Sequence, residues 1–171
     1  MLVGSLASSF QGIPRTTNDY DIVVRMTLED GMHLCSRFQS PRYYLDSESV
    51  KTGILLKEEF NLTDNELGFK IDFWPLRETA YDQSCFKRRV PENIFGQLRL
   101  ICSPEDTILS KLRWAKQSGG SERQTFDALK VYELQFPTLD NSYLNTWAAE
   151  LGIEMELESI RHKAKPLNRS T

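Results

Sequence analysis

The chain has 171 residues, 40% hydrophobic and 26% charged, with 21 Lys and Arg against 24 Asp and Glu for a net charge of −3. This is ordinary globular composition, enough for one domain with an appended helical part, and it excludes disorder, collagen-like repeats and coiled coil. No global basic field draws the protein onto nucleic acid, so any such contact must be local. Apolar runs such as Ile54-Leu55-Leu56 stop at three residues, too few for a membrane span. Met1-Leu2-Val3-Gly4-Ser5 lacks the basic start and sustained apolar stretch of a signal peptide. Cys35, Cys85 and Cys102 are scattered without a CxxC pair, which argues against a zinc site or disulfide framework and for a reducing, cytoplasmic setting. With only His33, read as structural, and His162, in a polar tail, a histidine-built site is poorly supplied.

In chain order, Leu2–Ala7 is a short apolar piece with Gly4-Ser5 opening a helix-like run. Tyr20–Met26 predicts a strand. Thr27–Phe38 predicts a helix with Thr27 as N-cap, and Ser47–Lys57 a second. Strands follow around Glu59–Thr63 and Gly68–Leu76, joined by the turn residues Asp64-Asn65-Glu66. Arg89–Ile94 and Gln97–Cys102 predict a hairpin around Phe95-Gly96. From Ser103 the pattern turns helical. Ser103 can cap, Pro104 suits the first helical position, and Glu105 and Asp106 complement the helix dipole. That helix runs to about Gln117 and stops at Ser118-Gly119-Gly120. Others cover about Glu122–Gln135, Asn141–Leu151 and Glu154–Lys165. The expected fold is α/β: a mixed sheet flanked by helices over residues 1–102, then a helical part, 103–171, packed on it as one compact unit.

The chemistry concentrates in carboxylates. On a strand, Asp19 and Asp21 point to one face and Tyr20 to the other. Two carboxylates roughly 6–7 Å apart can reach one divalent cation or bridge two, and hard oxygen ligands suit Mg²⁺ or Mn²⁺. Standing alone, such a pair is more often a solvated turn. Asp72 lies in the apolar strand Phe69-Lys70-Ile71-Asp72-Phe73-Trp74-Pro75, where a carboxylate resists ionisation unless paired or metal-bound. Pro75 leaves open an edge strand with Asp72 in water. Gly4-Ser5 at a helix start could offer N–H groups and a hydroxyl to phosphate, and Arg15 in the following loop could face one. Lys111 falls roughly 40° outside the apolar stripe Ile108, Leu109, Leu112, Ala115, either leaning into a cleft or solvated on the helix flank. Arg123 and Asp127 are spaced for an intrahelical ion pair or for a pocket. Trp74, Trp114 and Trp147 fit core positions better than base-stacking ones. Lys87-Arg88-Arg89 is either a solvated hairpin edge or a nucleic-acid contact.

Gly4-Ser5, then Arg15-x-Thr17-x-Asp19-x-Asp21 running into a strand, then Lys70-Ile71-Asp72-Phe73, resembles the polymerase-β-type nucleotidyltransferase superfamily. Ser103–Leu112 with Lys111, Arg123 with Asp127, and the stretch from Leu139 to Gly152 look like its AbiEii-like branch, which includes toxin nucleotidyltransferases and small stand-alone bacterial proteins. The resemblance implies a nucleotidyltransferase-type sheet and transfer of a nucleoside monophosphate from NTP to an RNA, protein or small-molecule acceptor. It implies that Asp19, Asp21 and Asp72 are catalytic and hold two Mg²⁺ (or Mn²⁺), with Asp72 also placed as general base. Gly4, Ser5, Arg15, Lys111, Arg123 and Asp127 would bind nucleotide. An antitoxin-like partner is a further implication, and a membrane is not. A catalytically weak nucleotide-binding or interaction protein, and less readily a metal-dependent nuclease, are the alternatives. Two departures stand out: relatives carry a helix ahead of Gly-Ser, and the larger toxins a long C-terminal domain. They leave the first strand's packing and the acceptor surface undefined.

Overall fold

The computed structural model describes residues 1–94 and 96–165. It divides into two compact units, Met1–Ser5 with Thr16–Ile101, and Leu6–Arg15 with the chain from Cys102 onward.

The first unit holds a four-stranded mixed sheet in the order β1-β4-β3-β2, from β1 (Asp19–Val24), β2 (Tyr43–Tyr44), β3 (Phe60–Asp64) and β4 (Phe69–Pro75). β1 runs parallel to β4, and the other neighbours are antiparallel. β4 is therefore central, and the edge-strand reading of Asp72 is corrected: Pro75 is its last residue, where the lost N–H does not interrupt the ladder. Period-2 alternation gives the sheet two characters. Ile71 and Phe73 of β4 and Phe60 and Leu62 of β3 join a core with Val50 and Ile54. That core is covered by α2 (Leu28–Arg37) and α3 (Ser47–Leu56). The opposite face carries Asp19, Asp21, Lys70, Asp72 and Trp74.

The helix starts follow local chemistry. Thr27 caps α2 as expected, and Asp30 answers it to form a reciprocal cap. Asp46 caps α3 by accepting from Ser49 N at 2.7 Å. α3 ends at Lys57 in the left-handed conformation, φ 58°, and the chain doubles back over Gly53. α4 (Ala80–Lys87), which the sequence reading left out, starts at Thr79, whose hydroxyl accepts from Asp82 N at 3.1 Å. β5 (Val90–Ile94) and β6 (Gln97–Ile101) form the expected hairpin; Phe95, placed at its tip, lies outside the described residues. At the chain start, Met1–Val3 lies antiparallel along β1, with Val23 N donating to Met1 O at 2.9 Å and Val3 N to Asp21 O at 3.0 Å.

The division between units falls inside α1 (Gly4–Gln11), after Ser5. The second unit contains α5 (Pro104–Gln117), α6 (Glu122–Gln135), α7 (Asn141–Leu151) and α8 (Glu154–Lys163). Ser103 caps α5 through Asp106 N at 3.2 Å with Pro104 in the first turn, as its sequence predicts. The stripe Ile108, Leu109, Leu112 and Ala115 is fully buried. Buried Gln11 joins the helices by donating to Cys102 O at 2.6 Å and accepting from Thr107 Oγ1 at 2.5 Å.

Gly53 tests the α3–β3 corner. A Cβ there would stand 2.8 Å from the Phe60 ring and 2.9 Å from the Glu58 carbonyl oxygen, and the backbone oxygen cannot step aside as a side chain could. Gly53→Ala should lower stability in urea melts by about 1–3 kcal/mol, the cost of overpacking, despite alanine's better helix propensity.

Candidate functional site

Backbone register builds a carboxylate face in the first unit. Asp21 is paired with Asp72, and Asp19 with Lys70, across the parallel β1–β4 ladder. Neighbouring strands are ~4.8 Å apart, so Asp21 and Asp72 stand side by side on the same face. Like charges so placed repel unless cations or donors intervene. The intervening groups come from the same strand by alternation. Trp74 Nε1 donates to Asp21 Oδ1 at 3.2 Å. Lys70 Nζ lies 2.9 Å from Asp72 Oδ1, yet off the line of a hydrogen bond, so that buried oxygen lacks a directed donor. Asp72 is 7% exposed, whereas Asp19 is exposed. The Asp72 carboxylate, with Glu59 and Asp19 behind it, holds the Lys70 ammonium above its ordinary 10.5. Glu59, just ahead of β3, is pushed above its ordinary 4.5 by partial desolvation and by Asp72 beside it.

Gly4 completes this face. The Val3–Asp21 hydrogen bond sets the next residue against the Asp21 side chain. Gly4 has φ +63°, and a Cβ there would overlap the Asp21 carboxylate. Only glycine meets both conditions at once. Ser5 follows, half-buried, in the first turn of α1.

The other sequence-selected residues belong to the second unit. Asp127, 8% exposed, accepts from Arg15 Nη2 at 3.1 Å and Ser8 Oγ at 3.3 Å, and its Oδ2 lies 2.9 Å from Lys111 Nζ. Lys111 is 3% exposed, which overturns the solvated-flank alternative: the helix face it occupies is covered and its charge is met by Asp127. Asp127 takes Arg15 and Lys111 as ion-pair partners, and Arg123, four residues before it, is exposed. Burial alone would raise the Asp127 pKa, but the hydrogen bonds from Arg15 and Lys111 outweigh it and hold it below the ordinary 3.8.

Other candidates sort quickly. Trp114, expected in the core, is 52% exposed. Cys102 is fully buried, and burial pushes its thiol up to about 12, which removes it as a nucleophile. The basic run closes α4: Lys87 is its last residue and Arg88 its C-cap. Arg89 and Arg25 both lie over the Phe86 ring, 4.3 and 5.4 Å from its centroid. Lys70, Trp74 and Glu59 were missed as site residues. For Lys70 and Trp74 the signal was present, since they alternate with Asp72 at i−2 and i+2 on one strand face.

The face meets the chemical demands of a divalent metal in two respects. It offers hard carboxylate oxygens, one of them buried without a directed donor, and a glycine keeps the space beside Asp21 clear. Among the described residues, no three His, Cys, Asp or Glu side chains converge on a common metal position as they stand.

No family model and no curated protein matches the sequence. Among solved structures, the chain is similar to an antigenic nucleotidyltransferase-like protein from Paracoccidioides brasiliensis, with TM-score 0.50 and 18% identity over 97% of this chain and 85% of that one. At this identity the likeness concerns the fold: the chain has a nucleotidyltransferase-like α/β fold, a mixed sheet flanked by helices. It does not single out the AbiEii-like branch. No described helix is long and apolar enough to cross a membrane.

The Asp127 cluster gives two stability predictions. Lys111→Ala should destabilise by about 1.5–3 kcal/mol, the worth of a hydrogen bond to a charged group, rather than act as a neutral surface change. Asp127's folded pKa is depressed, so its contribution is complete above pH 3.8 and is lost as pH falls through the folded value. The stability gap between wild type and Asp127→Asn, followed by urea melts, should therefore narrow as pH drops below 3.8 and stay constant above it.

Proposed function

We propose that the protein is a metal-dependent nucleotidyltransferase that moves a nucleoside monophosphate from an NTP to an acceptor hydroxyl. The observation that carries this reading is the in-register pair Asp21 and Asp72 beside a glycine whose Cβ would fill the space at Asp21. The fold likeness supports the same superfamily.

In this reading Asp21 and Asp72 are the principal ligands of Mg²⁺ or Mn²⁺, and Asp19, one alternation away and exposed, joins them. When bound, the metal supplies Lewis acidity toward the phosphates and lowers the pKa of an attacking hydroxyl. The chain's own groups do the rest. Asp72, buried and centrally placed, takes the proton of the acceptor hydroxyl. Gly4 leaves backbone room, and Gly4 and Ser5 at the start of α1 offer donors to the terminal phosphates. Trp74 fixes the Asp21 carboxylate through its indole N–H. Lys111, Arg123 and Asp127 carry the pattern on which we place the chain in the AbiEii-like branch, with an antitoxin-type partner as the corollary. For an RNA acceptor, Arg25 and Arg89 over Phe86 are the cations we assign to its phosphates.

The test is ligand-dependent melting. Mg²⁺ or Mn²⁺ with NTP should raise the melting temperature, by the equivalent of about 2.7 kcal/mol at a hundredfold excess over Kd. Asp21→Asn keeps the oxygen that Trp74 uses and should lose the shift while melting normally without ligand. An unchanged shift in that variant would remove the carboxylates as ligands. Labelled NTP with total RNA and with protein extract then separates the acceptors. A full melting shift with no label transferred selects the binding-only alternative.

A further inference from the structure

We propose that Lys70 is the resident cation of the carboxylate face, yielding its place beside Asp72 to a divalent ion when a triphosphate arrives to accept the lysine's charge. The inference rests on the reading of Asp21 and Asp72 as metal ligands. Lys70 projects from β4 on the same face as Asp72 and is the register partner of Asp19. Its Nζ sits 2.9 Å from Asp72 Oδ1, where a metal ligated by that oxygen would have to compete. Asp21 is held by Trp74 at the same time. These two contacts give a physical reason why no three metal-ligating side chains converge among the described residues.

The Lys70 contact is built to be broken. Its side chain is 39% exposed, and its ammonium meets Asp72 without a directed hydrogen bond, so little geometry is lost on leaving. Lysine is a compact point charge on a flexible four-carbon stem, which suits it to exchanging partners. Two cations crowded on one carboxylate repel each other, so a metal arriving alone must displace the ammonium into water. A metal arriving with a triphosphate brings the displaced ammonium a new anionic partner. Metal and nucleotide are thereby coupled through Lys70, and the coupling is reciprocal by linkage. Free metal binds weakly, and the metal–nucleotide pair is preferred.

The probe is Mn²⁺, followed by the EPR signal of the free ion, with and without a non-hydrolysable NTP analogue. Wild type, Lys70→Gln, Lys70→Arg and Asp21→Asn are compared on the full chain, with thermal melts confirming folding. Lys70→Gln should bind Mn²⁺ alone about fivefold tighter or more, the lower range of allosteric couplings, and should lose most of the tightening that the analogue gives wild type. Lys70→Arg keeps the charge and should bind Mn²⁺ alone as weakly as wild type. Unchanged or weaker Mn²⁺ binding in Lys70→Gln overturns the role of Lys70, as does a Lys70→Arg variant that behaves like Lys70→Gln. Lower analogue affinity with unaltered Mn²⁺ affinity makes Lys70 a phosphate ligand only and overturns the exchange. Asp21→Asn separates the two levels of the argument. If it binds Mn²⁺ as wild type does, the metal reading itself fails. If it loses Mn²⁺ while Lys70→Gln is unchanged, the exchange alone fails.

Discussion

The register of β1 on β4 decides what the first unit can do. Pairing Asp21 with Asp72 and Asp19 with Lys70 puts every charged residue of these two strands on one face. Ile71 and Phe73 are left for the other face, against α2 and α3. A slip of one residue would push the carboxylates into that apolar core and expose Phe73, at a cost of several kcal/mol in desolvated charge. Burial of Phe60, Leu62 and Phe73 thus holds the carboxylates beside each other against their own repulsion. The apolar face locks the polar one, and the energy that fixes the site is spent on the far side of the sheet.

The start of the chain is bound by the same constraint. Met1–Val3 adds to β1 through its own backbone, so the position of Gly4 against Asp21 is set by hydrogen bonds rather than by side-chain contact. The left-handed turn at Gly4 then lets the helix begin where an ordinary residue would collide with the carboxylate.

Much of this was legible in the sequence, for identifiable reasons. Alternation placed Asp19 and Asp21 on one face, and cap chemistry at Thr27 and Ser103 located two helix starts. The apolar stripe of α5 was plain from its spacing. The mixed sheet, its shared carboxylate face and the β5–β6 hairpin were legible too, but which strand is central and which helix covers which was not. Asp72 read equally as an edge residue because Pro75 is an edge signal, and strand order is a tertiary fact. Lys111 sits at the margin of its stripe, and only the presence of Asp127 on α6 and Arg15 after α1 makes that margin an interior. For Asp127 the sequence offers an ion pair with Arg123 as one of two readings, because i,i+4 pairing is the one interaction a lone helix displays. α4 went unread although Thr79-x-x-Asp82 is a start signal, since eight residues leave too little periodicity to weigh.

The two buried aspartates show how fold and chemistry divide the work. Asp127 and Asp72 are nearly equally buried, at 8% and 7% exposure. Asp127 is surrounded by two cations and a hydroxyl, so its charge is satisfied and the contacts hold it below the usual carboxylate range. Asp72 has one flexible lysine out of hydrogen-bond line and, in Glu59 and Asp21, neighbours of its own sign. A buried carboxylate that is fully partnered resists new ligands, because any newcomer must displace a contact made with good geometry. A buried carboxylate that is half-partnered gains by exchanging its cation for a better one. The first arrangement stabilises a fold, and the second leaves free energy available for binding. On the proposed reading the carboxylate face is where a cation and a polyanion are taken up together, whereas the Asp127 cluster holds the second unit in shape.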